Sequence, residues 1–128
     1  MKQIWVAVML ALFSGNVAAK RILVDDVDEF VAYADTDTIE RIGSAPRMVV
    51  LYDYKVKHTY LSSTYWSQRS MSEYDCRGRR TQILQYALHA GQMGGGEIVL
   101  SGAILPGLWS PVPPGSVVEK FWKVACSN

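Results

Sequence analysis

The chain has 128 residues and carries 13 lysines and arginines against 12 aspartates and glutamates, a formal net charge of +1. One domain is the natural count for this length. The near-neutral balance excludes a dedicated nucleic-acid or anionic-membrane binder, which needs a net basic surface.

The first 19 residues predict a cleavable secretory signal peptide. Lys2 precedes an apolar run from Ile4 to Phe13, and Val17-Ala18-Ala19 supplies the small residues that a signal peptidase recognises. The run is too short for a bilayer, which needs about 20 residues; the alternative is a buried N-terminal helix. Residues 20–128 then form the mature domain. No cysteine lies near the cleavage point, so a lipid anchor is not expected there. We therefore expect an exported protein, periplasmic or secreted, with surface association left open.

The mature chain predicts mainly β structure, because apolar and polar residues alternate through most of it. The expected strands are Phe30–Asp35, Ile39–Ile42, Arg47–Lys55, Ser63–Cys76, Arg79–His89 and Glu97–Ser101. Gly43-Ser44-Ala45-Pro46 predicts a turn, and Arg77-Gly78 predicts a tight hairpin connection. The glycines between 91 and 96 favour a wide hairpin loop, since a phosphate cradle would need a following helix and a lysine.

The C-terminal segment predicts an extended crossover followed by a helix. Pro111, Pro113 and Pro114 cannot lie in a central strand. Ser116 and Glu119 then form the pattern of a capping box, in which each side chain accepts from the backbone amide of the other. After the cap, Val118, Trp122 and Ala125 share one apolar stripe with Cys126, and Val117 and Phe121 lie beside it.

Cys76 and Cys126 are the two cysteines of the chain. In an exported protein we expect them to form an intramolecular disulfide that fastens the helix to the sheet. Free thiols or an intermolecular bridge are the alternatives.

Residues suited to catalysis or metal binding are sparse. His58, in a predicted polar loop, and His89, at a strand end, have no metal-ligand spacing around them. Asp25-Asp26 and Asp53 are candidate acid–base carboxylates, but such residues are common on surfaces. No serine lies in a nucleophile elbow. We therefore expect no catalytic residue, no metal and no cofactor.

Aromatic and arginine side chains are the candidate binding residues. Tyrosine, tryptophan and arginine dominate interface hot spots, although most aromatic residues on strands serve the core. The candidate partner-binding patch consists of Tyr65, Trp66, Arg77, Arg79 and Arg80.

An ordered set of segments across nearly the whole mature chain resembles the bacterial surface-adhesin protein E family. The segments are Tyr33-Ala34-Asp35 with Thr38-Ile39, Leu51-Tyr52-Asp53-Tyr54, Ser67, Tyr74-Asp75-Cys76, Arg79-Arg80, Met93-Gly94 with Gly96-Glu97, the run from Trp109 to Ser116, and Trp122-Lys123-Val124-Ala125-Cys126. The resemblance implies an α+β, mainly β fold: a curved antiparallel sheet of about six strands, with a C-terminal helix on its concave face tied by the Cys76–Cys126 disulfide. It also implies a non-enzymatic adhesin that binds host extracellular-matrix and serum proteins. The resemblance further implies that the protein can form a homodimer.

Three hypotheses follow, since a fold alone does not fix a function. The one ranked last is a hydrolase, which would need two strongly perturbed titratable groups in one cleft. The first is an exported binding module that acts through protein–protein contacts, with a homodimer as one oligomeric form. The second is a soluble periplasmic protein that binds a small ligand or an envelope partner. An exposed patch of tyrosine, tryptophan and arginine favours the first, and an apolar pocket with a few convergent polar groups favours the second.

Overall fold

The structure is a computed structural model that describes residues 20–41, 43 and 45–127. The predicted signal peptide, residues 1–19, lies outside the described residues, as does Ile42 at the end of one predicted strand.

The described residues form one antiparallel sheet and one C-terminal α-helix. In chain order the elements are β1 (Arg21–Asp26), β2 (Phe30–Glu40), β3 (Arg47–Tyr60), β4 (Ser63–Asp75), β5 (Arg80–His89), a short 3-10 turn (Gln92–Gly94), β6 (Ile98–Ala103), β7 (Ser110–Pro111) and α1 (Val117–Cys126). Strands β1 to β5 each pair with the next strand along the chain, and the two-residue β7 pairs with the start of β5. The predicted mainly β fold with its C-terminal helix is confirmed.

The helix packs on one face of the sheet, over β1 to β4. Phe121 and Ala125 are its buried residues, and they meet small residues of β2, Ala32 and Ala34, which leave room for a helix to approach closely. Phe121 also contacts the ring of Tyr52 edge-to-face, with centroids 5.7 Å apart. Phe121 therefore lies at the centre of the buried face of the helix. The sequence pattern had predicted it beside the apolar stripe and not at its centre.

The predicted disulfide between Cys76 and Cys126 is confirmed. It joins the residue after β4 to the last residue of α1. The indole Nε1 of Trp122 donates to the carbonyl oxygen of Asp75 at 3.0 Å, so a second bond fastens the same two elements.

The N-terminal part of the sheet differs from the prediction. The sequence pattern missed β1, which pairs with β2. The two predicted strands at Phe30–Asp35 and from Ile39 are one continuous strand, β2, with an irregularity in its pairing between Asp35 and Glu40. Thr38, which lies between the two predicted strands, bridges this irregularity, because its hydroxyl donates to the carbonyl of Asp35 and accepts from the amide of Val49.

The second difference lies in the hairpins on either side of β4. Strand β3 continues to Tyr60, five residues beyond the predicted end, so His58 lies in a strand and not in a polar loop. At the other end, the connection from β4 to β5 has four residues, because Asp75 pairs with Arg80. The predicted two-residue turn at Arg77-Gly78 was too short.

Among the described residues, no helix has the length and hydrophobicity that crossing a membrane requires.

Candidate interaction surfaces

The structure places the predicted patch residues at opposite ends of β4. Tyr65 and Trp66 lie near the start of this strand, whereas Arg77, Arg79 and Arg80 follow its last residue, Asp75. The strand from Tyr65 to Asp75 spans roughly 33 Å at about 3.3 Å per residue. The five residues therefore belong to two separate surfaces, which we call the disulfide end and the arm.

At the disulfide end, two of the arginines are engaged in contacts within the protein. The guanidinium of Arg79 lies 4.6 Å from the ring centroid of Trp122 and forms an ion pair with Glu119. The guanidinium of Arg80 lies 5.1 Å from the ring of Trp109 and donates twice to Asp75, at 2.8 and 3.1 Å. Each arginine thus combines a cation–π contact with a carboxylate, which orients it and neutralises its charge.

The two carboxylates that meet these arginines also satisfy backbone amides. Asp75 accepts from the amide of Gly78 at 2.9 Å, and this bond, with the Arg80 guanidinium, lowers the pKa of its carboxyl. Glu119 accepts from the amide of Gly115 at 3.1 Å, and that bond, with Arg79, lowers its pKa as well. Both groups remain ionised well into acid, so they hold the turns and the helix start rather than exchanging protons near neutral pH.

The helix cap has only half of the expected pattern. The hydroxyl of Ser116 accepts from the amide of Glu119 at 3.1 Å. The expected return bond from Glu119 to the Ser116 amide is replaced, because that amide donates to the carbonyl of Pro113. The carboxylate takes the amide of Gly115 instead, whose φ of +77° is a left-handed conformation that favours glycine.

The arm is the hairpin of residues 56–66, where β3 and β4 pair beyond their neighbours. Strand β2 pairs with β3 only as far as Tyr54, and β5 pairs with β4 only as far as Ser67. The pairing of β3 with β4 is irregular between Asp53 and His58, at the base of the arm. The arm is therefore a two-stranded extension of the sheet that neither β2 nor β5 flanks.

Aromatic rings gather at the base of the arm. The ring of His58 stacks on Tyr54 with centroids 3.8 Å apart, and Tyr65 contacts both rings at 5.4 and 5.8 Å. The Tyr54 hydroxyl donates to Gln68, and burial raises its pKa to about 12. Trp66 lies next to this cluster in sequence and lines a shallow depression of about 370 Å³ with Gln92.

The arm exposes large apolar side chains. At its tip Leu61 is 85% exposed and Tyr60 is 46% exposed, and at its base Val56 is 49% exposed. Leu61 has a φ of +54°, which fits its position in the turn between β3 and β4. Sequence reasoning selected Tyr65 and Trp66 but missed these three residues, because nothing in their spacing marks where a hairpin projects beyond its sheet.

The candidate carboxylates do not form a catalytic pair. Asp25 forms an ion pair with Lys120 on α1, and this contact lowers its pKa. Asp26 forms an ion pair with Lys55, and Asp53 accepts from the amide of Met93 at 2.7 Å. Within the part of the chain that the structure describes, no three histidine, cysteine, aspartate or glutamate residues are grouped as a metal ion would require.

His89 is 2% exposed, and neither ring nitrogen has a hydrogen-bond partner. Burial, together with the charge of Arg69, lowers its pKa. Ser67 lies opposite it on β4, but the Ser67 hydroxyl donates to the carbonyl of Gly91 and accepts from the amide of Gly94. The serine is therefore committed to holding the glycine-rich loop and is not paired with the histidine as a nucleophile would be.

A depression of about 410 Å³ lies on the helix side of β5. Its lining is mostly apolar: Ile83, Ile104, Leu108, Pro111, Pro113 and Val118, with Thr81, Gln82 and Ser110. A smaller cavity of about 80 Å³ adjoins it through Thr81, Ile83 and Val118, and continues under the helix to Tyr52 and Tyr74.

Comparison with known proteins agrees with this architecture. The family model described as surface-adhesin protein E matches residues 21–127. Two solved structures of Haemophilus influenzae protein E have TM-scores of 0.57 to this chain. Crystal form II is 12% identical and is matched over 80% of this chain and 91% of that one. A second structure is 11% identical, over 83% and 92%. No curated protein sequence matches the chain significantly. At these identities the solved structures show the fold.

Proposed function

Because the chain belongs to the surface-adhesin protein E family, we propose that it is an exported, non-enzymatic binding protein that acts through protein–protein contacts. Host extracellular-matrix or serum proteins are the proposed partners. The disulfide fits a location outside the cytoplasm. We place the mature protein in the periplasm or in secreted form, residues 1–19 being its signal peptide, and include a homodimer among its states.

The observation that carries the proposal is the arm. It exposes Tyr60 and Leu61 at the tip, and Val56 at the base, of a hairpin that extends beyond the pairing of β2 and β5. Exposed apolar and aromatic groups that are contiguous mark interaction sites on soluble proteins. The ring cluster of Tyr54, His58 and Tyr65 holds the base of the arm, so its apolar tip is presented on a supported hairpin.

The contacts of the titratable groups support a non-enzymatic role. The carboxylates of Asp75 and Glu119 each meet an arginine and a backbone amide, and Asp25 meets a lysine. A hydrolase site would instead bring two titratable groups with shifted pKa values together in one cleft.

The test is capture of partners by the oxidised mature protein from two pools, host matrix and serum proteins on one side and bacterial envelope proteins on the other. A Tyr60→Ser, Leu61→Asn variant removes the apolar tip, and asparagine tolerates the positive φ of position 61. Leu105→Asn is the matched control, because Leu105 is 81% exposed and lies outside the arm.

We expect the wild-type protein and the control to capture matrix or serum proteins. The arm variant should capture at least tenfold less of them. Capture of envelope proteins alone would contradict the host-partner proposal. Equal capture by all three proteins would contradict the role of the arm.

A second candidate function, binding of a small apolar ligand, is supported by the depression beside β5. Its volume of about 410 Å³ falls within the range of roughly 300–1,000 Å³ that ligand sites occupy. Val118→Trp would fill it. We expect an apolar fluorescent dye to bind the wild-type protein and Leu105→Asn but not Val118→Trp; equal dye binding by the three proteins would reject the site.

A further inference from the structure

The outer edge of β6 differs from the other edge of the sheet. Among the described residues, β6 pairs with β5 on one side and no strand lies on its other side; β1 has the same position at the opposite edge. Strand β1 carries Arg21, Asp25 and Asp26 and has a bulge between Leu23 and Asp25. Charges and bulges are devices by which natural sheets prevent further strands from adding.

Strand β6 has none of these devices along its regular part. Its sequence from Ile98 to Ala103 contains no charged residue and no proline. The one irregularity in its pairing lies at its start, and from Leu100 to Ala103 the register with β5 is continuous. An uncharged, regular edge strand is a template for pairing with another chain.

The hydrogen bond made by Ile104, the residue after β6, shows which backbone amides and carbonyls of β6 point away from the sheet. The amide of Ile104 donates to the carbonyl of Leu84 at 2.8 Å, so position 104 faces β5. Successive residues of an antiparallel strand alternate in this respect. Gly102 and Leu100 therefore also face β5, and the amides and carbonyls of Ser101 and Ala103 point away from the sheet.

Depressions lie beside this edge on both faces of the sheet. On the face opposite the helix, a shallow cavity of about 360 Å³ is lined by Val49, Arg69, Met71, Gln85, Tyr86, Ala87, Ser101, Gly102 and Ala103. It is open at β6 because the side chains there are small. On the helix face, the depression of about 410 Å³ reaches Ile104, the residue that follows β6.

We propose that the β6 edge binds an extended segment of a partner protein as an additional antiparallel strand. The outward amides and carbonyls of Ser101 and Ala103 supply the main-chain hydrogen bonds. Large apolar side chains at alternate positions of the segment share one face, and they fill the depression opposite the helix. The proposal is independent of the arm, which lies at residues 56–66.

The size of the β6 side chains favours a partner segment over a second copy of this chain. On the face opposite the helix, a paired second copy would offer Ser101 and Ala103, because those residues of the regular part of β6 alternate onto that face. Such small groups would leave the 360 Å³ cavity open. A segment with an aromatic or long aliphatic side chain at that position fills it.

The test uses a defined probe: a fluorescein-labelled eight-residue peptide in which phenylalanine alternates with threonine, acetylated and amidated at its ends. Binding to the oxidised mature protein is measured by anisotropy. Ser101→Pro removes one outward amide without removing a hydrogen bond to β5, and Ser101→Ala is its matched control. Ala103→Lys protects the edge with a charge and serves if the proline variant does not fold. Leu61→Asn separates the edge from the arm.

We expect Ser101→Pro and Ala103→Lys to weaken peptide binding at least tenfold, and Ser101→Ala and Leu61→Asn to leave it unchanged. Amide hydrogen exchange at Ser101 and Ala103 should slow when the peptide is bound. Three results would overturn the proposal: no binding of the probe, binding that Leu61→Asn abolishes, or exchange that slows elsewhere. Sedimentation that shows a dimer of the free protein, lost in Ser101→Pro, would assign the edge to a second copy instead.

Discussion

The two ends of β4 use similar residue types for opposite purposes. At the disulfide end, Trp122 donates to a backbone carbonyl and lies under Arg79, while the carboxylates nearby accept from arginines and amides. At the arm, Tyr60 and Leu61 are exposed at the tip of a hairpin that extends beyond the pairing of β2 and β5. Aromatic and apolar side chains near β4 therefore stabilise the fold where their partners lie within the protein, and they remain exposed to solvent where the hairpin extends beyond the sheet.

The largest expected effect comes from the helix–sheet core on which the disulfide end depends. Phe121→Ala removes a ring that is 1% exposed and packs against Tyr52, so we expect the free energy of unfolding to fall by about 3–5 kcal/mol. Urea denaturation measures the change. Tyr60→Ala, on the arm, is the control and should lower the free energy of unfolding much less. Equal losses would mean that the two ends of β4 do not differ in their contribution to stability.

Removal of the disulfide should have the next largest effect. It spans 50 residues, and the chain-entropy model gives about 4 kcal/mol as an upper figure for the stabilisation. We expect a Cys76→Ala, Cys126→Ala variant to unfold at a lower urea concentration by a corresponding amount. A reducing agent should destabilise the wild-type protein and leave the variant unchanged. If the wild-type midpoint is insensitive to reduction, the stabilising role of the disulfide is wrong.

These stabilising features were the ones that the sequence predicted best. The helix follows from its apolar stripe and its cap at Ser116, and the disulfide from an exported chain with two cysteines. Strand β1 escaped prediction because Ile22, Leu23 and Val24 are consecutive apolar residues and its pairing is interrupted by a bulge, so no alternation appears.

The candidate site was predicted less well for a geometrical reason. Tyr65 and Arg77 are similar candidates by residue type, but alternation along a strand does not say where its neighbours stop pairing. The extension of β3 beyond Lys55 was hidden because the polar residues Lys57, His58 and Thr59 follow its apolar core part. The projection of the arm depends on the lengths of β2 and β5, which only the assembled sheet defines.

A smaller effect is expected from the helix cap. The Ser116 hydroxyl accepts from the Glu119 amide, and its loss in Ser116→Ala should cost about 1 kcal/mol of unfolding free energy. Ser127→Ala is the matched control, since that hydroxyl is exposed and donates to a single carbonyl, that of Val124. Equal effects of the two variants, measured by urea denaturation, would show that the cap contributes nothing specific.

Acid should weaken the disulfide end selectively. The pKa values of Asp75 and Glu119 lie below the usual 3.8 and 4.5, because backbone amides and arginines bind the ionised forms. A lowered pKa in the folded state stabilises the protein above the unfolded value, and that contribution is lost as the pH falls through the folded value. We therefore expect stability to decline below about pH 4.5, with each of these partly exposed carboxylates contributing modestly.

The variant Glu119→Gln tests the origin of that decline. It should be less stable than the wild type at pH 7 and should lose less stability between pH 7 and pH 3, measured by urea midpoints. Parallel declines in the two proteins would mean that Glu119 is not among the carboxylates responsible.

The smallest effect on stability is expected at the arm, where it distinguishes an exposed surface from the stabilising contacts of the disulfide end. Leu61 is 85% exposed and contributes little to the core, while asparagine accepts its positive φ. Leu61→Asn should therefore change the free energy of unfolding by less than about 0.5 kcal/mol, as judged by urea denaturation beside Leu105→Asn. A residue that binds a partner without stabilising the fold has this profile, whereas a loss of several kcal/mol would mean that the tip packs against the protein and is not free to recognise another one.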